Sequence, residues 1–164
     1  MKYLILSAFL LAASPVAAGV PFIVNRFATC HGIENNTPMN SFSGPFKRAG
    51  NQELNCWFEF IGTRETIEYL DKRRSLTIRA IWRVGIRNVE KVDIGITASE
   101  WRRARDGAVS EVAAKGFFTW RTFCSKSNFE SDRYAIHLVT TGGDRLKQQG
   151  TMSAFEADIE IQGL

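Results

Sequence analysis

Apolar and polar residues alternate along most of the chain, and this alternation is the main structural signal in the sequence. In one stretch, Leu76, Ile78 and Ala80 alternate with Thr77 and Arg79. Because neighbouring side chains of a strand point to opposite faces of a sheet, this pattern predicts a strand with one buried face. Comparable patterns predict strands at 25–31, 53–61, 76–84, 89–98, 117–125, 133–141 and 153–161, with shorter ones at 66–70 and 146–150.

Segment 117–125, which reads Phe-Phe-Thr-Trp-Arg-Thr-Phe-Cys-Ser, is the strongest strand candidate. It holds four aromatic residues and no glycine or proline, and large flat or β-branched side chains favour pleated sheets. Its two faces differ little in apolarity, since Phe118 and Trp120 lie on one face and Phe117 and Phe123 on the other. A strand that is covered on both faces usually lies inside a sheet. We therefore expect this segment to be a central strand.

Two stretches depart from the alternating pattern. Segment 32–45 is rich in asparagine, serine, proline and glycine, which predicts a long loop. In segment 100–115, apolar residues such as Trp101 and Val109 follow a helical spacing of three or four, but Gly107 interrupts it. A glycine inside a helix costs about 1 kcal/mol relative to alanine. We expect one or two short helical turns, or an irregular excursion, between two strands.

The spacing of strands and turns predicts the fold class. Seven or eight short strands separated by turn signals predict an all-β fold, namely an antiparallel β-sandwich that is immunoglobulin-like or jelly-roll-like. The turn signals include a charged turn at 71–74, a turn at 85–88 and a glycine-containing hairpin turn at 141–144. There is no internal repeat or low-complexity linker, so we expect residues 24–164 to form a single domain.

The first eighteen residues have the plan of a secretory signal peptide. Met1 and Lys2 give a basic start, an apolar run follows at 3–13, and small residues at 16–18 precede an expected cut before Gly19. The apolar run is too short to span a bilayer comfortably, although an uncleaved anchor is the alternative. We therefore expect a periplasmic or secreted protein with no membrane span after cleavage.

Composition and charge are compatible with a globular domain and select no partner. The chain has 164 residues, of which 45% are hydrophobic, and this is enough for a substantial core. Its net charge is +4, from 21 basic and 17 acidic residues, and removal of Lys2 with the signal peptide lowers it to +3. A mixed but basic surface favours anionic partners.

Three cysteines remain after the expected cleavage: Cys30, Cys56 and Cys124. In an oxidising compartment two of them can pair, and we prefer Cys56 with Cys124 because both lie on strongly predicted strands. Such a disulfide would stabilise the core by about 2–4 kcal/mol. The sequence leaves an alternative open, in which three free thiols are buried and pack as small apolar residues.

Three short motifs, spread over roughly 26–146, carry a resemblance to a known family. They are Arg26 to Asn35 with Pro38; Trp82 and Gly85 with Val92-Asp93-Ile94; and Trp120-Arg121-Thr122-Phe123 with Ser125-Lys126 and Gly142-Gly143-Asp144-Arg145-Leu146. On these motifs the chain resembles a bacterial exported family described only as domain of unknown function 2914. Two features depart from that pattern, because Cys124 stands where a serine is expected and 100–115 is longer than the expected turn. The resemblance implies an all-β envelope domain with no assigned activity or catalytic residue.

Residues with catalytic or metal-binding chemistry are scattered along the chain. Cys30 and His31 are neighbours, but adjacent residues of a strand point to opposite faces, so neither easily activates the other. Zinc usually requires a closely spaced ligand pair, which these single cysteines and histidines do not provide. Glu156, Asp158 and Glu160 share a strand face, where pairing with arginines of a neighbouring strand is simpler than acid–base catalysis. We therefore expect no catalytic residue, no metal site and no cofactor.

A basic and aromatic set is the most informative group for function. Trp101, Arg102, Arg103 and Arg105 lie in the segment that departs from the strands, where function is often carried. Cations beside aromatic rings suit anionic polymers. The alternative is a solvated face that is balanced by the acidic last strand. We predict these four residues as a binding surface.

These patterns favour an exported, non-catalytic binding or interaction module of the cell envelope. The expected partner is an unknown protein or an anionic envelope polymer, and export argues against nucleic acid. Two alternatives stay open. One is a small secreted hydrolase that uses Cys30 or a carboxylate pair, and the other is a structural component of an envelope assembly.

Overall fold

The structure, a computed structural model, describes residues 21–42, 46–48, 52–128, 132–140, 147–148 and 155–161. Ten strands and two helices lie in these ranges, and eight of the strands have six or more residues, in line with the seven or eight predicted. In chain order the elements are β1 (Phe22–Glu34), β2 (Thr37–Phe42), β3 (Phe46–Arg48), β4 (Leu54–Gly62), α1 (Arg64–Arg73), β5 (Leu76–Val84), β6 (Arg87–Ile96), α2 (Ala98–Lys115), β7 (Phe118–Lys126), β8 (Asp132–Thr140), β9 (Lys147–Gln148) and β10 (Phe155–Ile161).

The strands form two sheets. Sheet A has the order β2-β1-β4-β7, with β9 added in parallel to β1, and sheet B has the order β3-β10-β8-β5-β6. The other neighbours are antiparallel, apart from β3, which is parallel to β10. Helix α1 leads from sheet A to sheet B, and α2 leads back. The prediction of an all-β, antiparallel sandwich with a helical excursion is confirmed.

One apolar core joins the inner faces of the two sheets. Sheet A contributes Phe22, Phe58 and Phe60, and sheet B contributes Ile78 and Trp82, all of them fully buried. The rings of Phe22 and Phe60 stack with their centroids 5.1 Å apart. Complete burial of a side chain of this size contributes roughly 1.5–3 kcal/mol, so packing between the sheets is the main source of stability.

The inner strands of sheet A are β1 and β4, and the prediction that 117–125 is central was wrong. Strand β4 is buried along almost its whole length, including Trp57 and Glu59 on its outer face. Strand β7 lies at the end of the sheet order, and Phe123 on its outer side is 42% exposed. Phe117, just before the strand, is 36% exposed. Aromatic residues on both faces therefore did not indicate burial on both faces.

The predicted loop at 32–45 begins as a β-hairpin. Strand β1 continues to Glu34, and β2 pairs with it after a two-residue turn at Asn35 and Asn36. These asparagines have φ angles of 48° and 60°, and asparagine tolerates this left-handed conformation better than most residues. Positive φ at both central residues defines the turn type that best matches the twist of paired strands. The same asparagines that suggested a loop therefore form the turn.

Helix α1 replaces the strand predicted at 66–70 and the charged turn predicted at 71–74. Ile67 and Leu70 are three residues apart and are both buried, as a helix face requires. Basic residues in the last turn interact favourably with the negative end of the helix dipole. The segment is short, so its few apolar positions fit the periodicity of a strand as well as that of a helix.

Helix α2 fills the predicted excursion and is longer than the one or two turns expected. It has 18 residues, and its N-terminus is closed by a capping box between Thr97 and Glu100. Gly116 ends it with a φ of 85°, the left-handed conformation that glycine adopts freely. Among its residues Trp101 and Ala108 are buried, so most of the helix faces solvent.

The remaining strands lie close to their predicted positions, with one exception in pairing. Strands β4, β5, β6, β8 and β10 begin and end within two residues of the predictions. Segment 146–150 was expected to return along the preceding strand, but β9 pairs in parallel with β1 of the other sheet. The predicted turn at 141–144 and the signal peptide at 1–18 lie outside the described residues.

Gly95→Ala tests the close packing of β6 on β5. Gly95 has a φ of 152°, and an added Cβ would lie 2.1 Å from the main-chain oxygen of Leu76. Because the paired backbones of β5 and β6 cannot move apart without loss of hydrogen bonds, we expect the free energy of unfolding to fall by about 2–4 kcal/mol in urea titrations. Gly107→Ala is the control, since Gly107 has no neighbour within 4 Å and should gain about 0.5–1 kcal/mol from helix propensity. Equal stability of the two variants would contradict this packing.

Candidate functional site

The candidate site lies where the end of α1 meets the first turns of α2. Trp101 of α2 is only 4% exposed, and its ring packs 6.2 Å from that of Phe118 at the start of β7. Its Nε1 donates a hydrogen bond of 3.0 Å to Oδ1 of Asp71 in α1. Trp101 thus fixes α2 to both sheet A and α1. It is the buried residue of the predicted binding surface.

Arg105 forms a bidentate pair with the same carboxylate. Its Nε lies 2.9 Å from Oδ1 of Asp71, and its Nη2 lies 2.9 Å from Oδ2. The hydrogen bond from Arg105 lowers the pKa of Asp71, and the bond from Trp101 lowers it further, while desolvation opposes both. Asp71 therefore holds Arg105 in a single orientation at the surface.

Arginines surround a hollow of about 200 Å³ at this junction. The lining residues include three arginines and one aspartate, which give the hollow a formal charge of +2. Within the described ranges, neither Arg74 nor Arg102 makes an ion pair with a carboxylate. Both are exposed, so two of the three cations are available to a ligand. The residues that line the hollow are Asp71, Arg74, Ala98, Trp101, Arg102 and Arg105.

The structure divides the four predicted binding residues. Arg102 and Arg105 line the hollow, Trp101 forms its floor, and Arg103 is exposed but does not line it. Asp71 and Arg74 belong to the hollow but were not predicted, because 71–74 was interpreted as a separate turn. The basic run at 72–74 can be recognised in the sequence, but its proximity to α2 depends on the tertiary fold.

The geometry of Cys30 does not support the alternative of a hydrolase with a nucleophilic Cys30. The Cys30 thiol is fully buried and donates to the main-chain oxygen of Asn55 at 3.7 Å. Burial raises its pKa, although main-chain hydrogen bonds from Gly32 and Met39 oppose this. A nucleophilic thiol needs a lowered pKa and access to substrate.

All three cysteines are buried free thiols in the structure, which is the second of the two alternatives. Cys56 and Cys124 are nevertheless direct partners in the register of β4 and β7. Burial, and then a hydrogen bond with Cys124, raise the pKa of Cys56 well above its usual range. The preferred pair is therefore adjacent in space, while Cys30 lies on the neighbouring strand.

The buried charges of the sandwich are satisfied by structural partners. Glu59 is 4% exposed and accepts hydrogen bonds from Asn25 Nδ2 at 3.0 Å and Arg121 Nε at 2.9 Å. Lys126 is 7% exposed and pairs with Glu90, which connects the edges of the two sheets. A buried charge that is paired and hydrogen-bonded in this way maintains the fold.

The acidic last strand is described only by its backbone pairing. Asp158 of β10 is opposite Arg133 of β8 in the register, which is the arrangement expected for charge pairing across a sheet. Across the described parts of the chain, no three histidine, cysteine, aspartate or glutamate residues are grouped as a metal ion would require.

A larger groove of about 630 Å³ lies on the other side of the α2 N-terminus, between β6 and β7. Its two carboxylates already have partners, because Asp93 pairs with Arg79 and Glu100 closes the capping box with Thr97. Phe123 supplies an exposed ring. Unlike the hollow, this groove has no lysine or arginine among the described residues that line it.

Comparison of the chain with protein-family models, with curated proteins and with solved structures gave no match. The resemblance to domain of unknown function 2914 stays a prediction. Neither of the helices in the described part of the chain combines the length and apolarity that a membrane span needs.

Asp71→Asn should lower stability with a defined dependence on pH. Because the folded-state pKa of Asp71 is lowered, its ionised form stabilises the fold above the unfolded-state pKa of about 4 and loses this effect as pH falls through the folded-state value. We expect a loss of about 0.5–1 kcal/mol near pH 7, since the pair is partly exposed. In urea titrations below about pH 4, the free energies of unfolding of the variant and the wild-type protein should become more similar.

Asp106→Asn is the matched control for this measurement. Asp106 lies 3.7 Å from Arg105 but is fully exposed, so its removal should leave stability almost unchanged. A loss for Asp71→Asn that grows on acidification would contradict the assigned role of the carboxylate.

Proposed function

We propose that the protein is an exported, non-catalytic binding module that holds an anionic group in the hollow between α1 and α2. The observation that carries this proposal is the convergence of Arg74, Arg102 and Arg105 on one depression that contains a single carboxylate. Planar guanidinium groups with several fixed donors are well suited to oxyanions. The partner is an unknown protein or an anionic component of the cell envelope, such as a polymer, a lipid headgroup or a small ester.

The fixed positions of the side chains at the site support a binding role. Arg105 is already held by Asp71, so less side-chain freedom is lost when a ligand arrives. Trp101 anchors the helix that carries Arg102 and Arg105. Short ionic contacts placed on anchored elements give better-defined recognition than charges on a flexible loop.

The rest of the molecule supports a module that binds without catalysis. Cys30 is buried with a raised pKa, and the buried carboxylate of Glu59 is fully engaged by its neighbours. The signal-peptide pattern of the first eighteen residues supports export, which favours envelope components over nucleic acid as partners.

Arg102→Gln tests the proposed site directly. We expect affinity for inorganic phosphate or a heparin hexasaccharide, measured by isothermal titration calorimetry, to fall about tenfold or more, because a charge-assisted hydrogen bond contributes roughly 1.5–3 kcal/mol. Arg103→Gln is the control, since it removes the same charge from the same helix outside the hollow. Equal losses for both variants, or no binding of either anion to the wild-type protein, would contradict the proposal.

Export to an oxidising compartment leads to a separate prediction about the cysteines. We propose that an exchanging disulfide joins Cys56 to Cys124, two neighbours in the register, during folding and before the two thiols are buried, and leaves Cys30 as a thiol. Each new protein disulfide would release two thiols from the oxidant. Peptide mapping of protein recovered from the periplasm or medium should find this disulfide. Recovery of all three cysteines as thiols would contradict it.

A further inference from the structure

We infer that the anionic group held in the hollow is a terminal phosphate, that is, a phosphomonoester. This inference rests on the proposed function and specifies the chemistry of its ligand. The phosphate would lie among Arg74, Arg102 and Arg105, close to Ala98 at the start of α2. The phosphate-bearing molecule is either a soluble ester or a lipid headgroup, and both present the same chemistry.

The size of the hollow favours a compact group. Pockets for drug-sized ligands usually enclose about 300–1,000 Å³, whereas the hollow has about 200 Å³. A tetrahedral oxyanion with its ester linkage fits this volume, while the length of a polymer chain would have to remain outside. The site therefore suits the end of a ligand.

Charge favours a dianion over a monoanion. A phosphomonoester carries a charge of about −1.5 to −2 at pH 7 and offers three acceptor oxygens. This charge matches the formal +2 of the hollow, in which Asp71 is already paired with Arg105. A phosphodiester, a sulfate monoester and a carboxylate each carry a single negative charge and would leave one cation uncompensated.

The backbone of Arg74 gives an independent indication. Arg74 has φ and ψ angles of 60° and −2° at the C-terminus of α1, where glycine is the residue usually found. Of the described residues with positive φ, it alone is neither glycine nor asparagine. Unfavourable backbone conformations are concentrated at functional sites. Here a glycine would be more stable, but it would remove a guanidinium from the hollow.

The start of α2 borders the hollow through Ala98, its first residue. The capping box already uses the Glu100 N–H and places the Glu100 carboxylate at this helix end, so the arginines, and not the helix start, would hold the phosphate.

A comparison of three small anions tests the inference. Methyl phosphate, dimethyl phosphate and methyl sulfate are titrated into the wild-type protein at pH 7.5 and followed by isothermal titration calorimetry. We expect methyl phosphate to bind about tenfold tighter than the other two, because only it is a dianion. Equal affinities that are all lost in Arg102→Gln would overturn the phosphomonoester inference and leave the proposed anion site standing. Absence of binding by all three would overturn both.

Arg74→Gly separates a ligand-binding role from a structural one. We expect its thermal midpoint to stay equal or rise, because glycine relieves the unfavourable φ, while its affinity for methyl phosphate falls about tenfold. Arg73→Ala is the control, since Arg73 lies on the ring of Tyr69 and does not line the hollow. Retained affinity in a stable Arg74→Gly protein would overturn the inference.

Vesicles distinguish the two sources of the phosphate. Phosphatidic acid presents a phosphomonoester and phosphatidylglycerol a phosphodiester, so co-sedimentation with only the former, lost in Arg74→Gly, identifies a lipid headgroup. Binding of methyl phosphate without co-sedimentation identifies a soluble ester. Equal co-sedimentation with both vesicles, unchanged in Arg74→Gly, would show that charge alone drives attachment and would overturn the inference.

Discussion

The burial of Trp101 is the contact on which the arrangement of the site depends. Its ring packs beside Phe118 at the start of β7, and its indole N–H donates to Asp71 at the end of α1. A single side chain thereby joins one sheet and two helices. Asp71, positioned in this way, holds Arg105 with two further hydrogen bonds. Few other residues of α2 are buried, so Trp101 is the main apolar anchor of this helix.

The sandwich supplies most of the stability, and the helical junction carries the proposed binding function. Packing between the sheets supplies most of the apolar burial. Glu59 is paired with Arg121 on the outer face of sheet A, and the ion pair of Lys126 with Glu90 joins the edges of the two sheets. The junction instead concentrates features that do not favour stability. It holds positive charges close together and an arginine at φ 60°. Such local costs are tolerated at sites where the same residues bind a ligand.

How much the sequence predicts depends on the range of the interaction. In β5 and β8, apolar and polar residues alternate in the same way as buried and exposed positions, so both strands could be predicted from the sequence. Thr97 and Glu100, which form the cap of α2, could also have been recognised from their spacing. The exposure of Phe123 could not, because aromatic residues occur on buried and exposed faces alike. The meeting of Asp71 with Arg105, 34 residues later, is a product of the whole fold and leaves no local pattern.

Observing the arginine side chains during binding tests most directly whether the hollow binds phosphate. Nitrogen-15 NMR spectra that resolve the Nε–H groups should be recorded while methyl phosphate is added. If phosphate binds in the hollow, the Nε–H signals of Arg74, Arg102 and Arg105 should show saturable shifts. The signals of Arg79 and Arg121, which are paired elsewhere on the sheets, should stay unchanged. Shifts spread evenly over the surface arginines, or confined to the two sheet arginines, would contradict binding in the hollow.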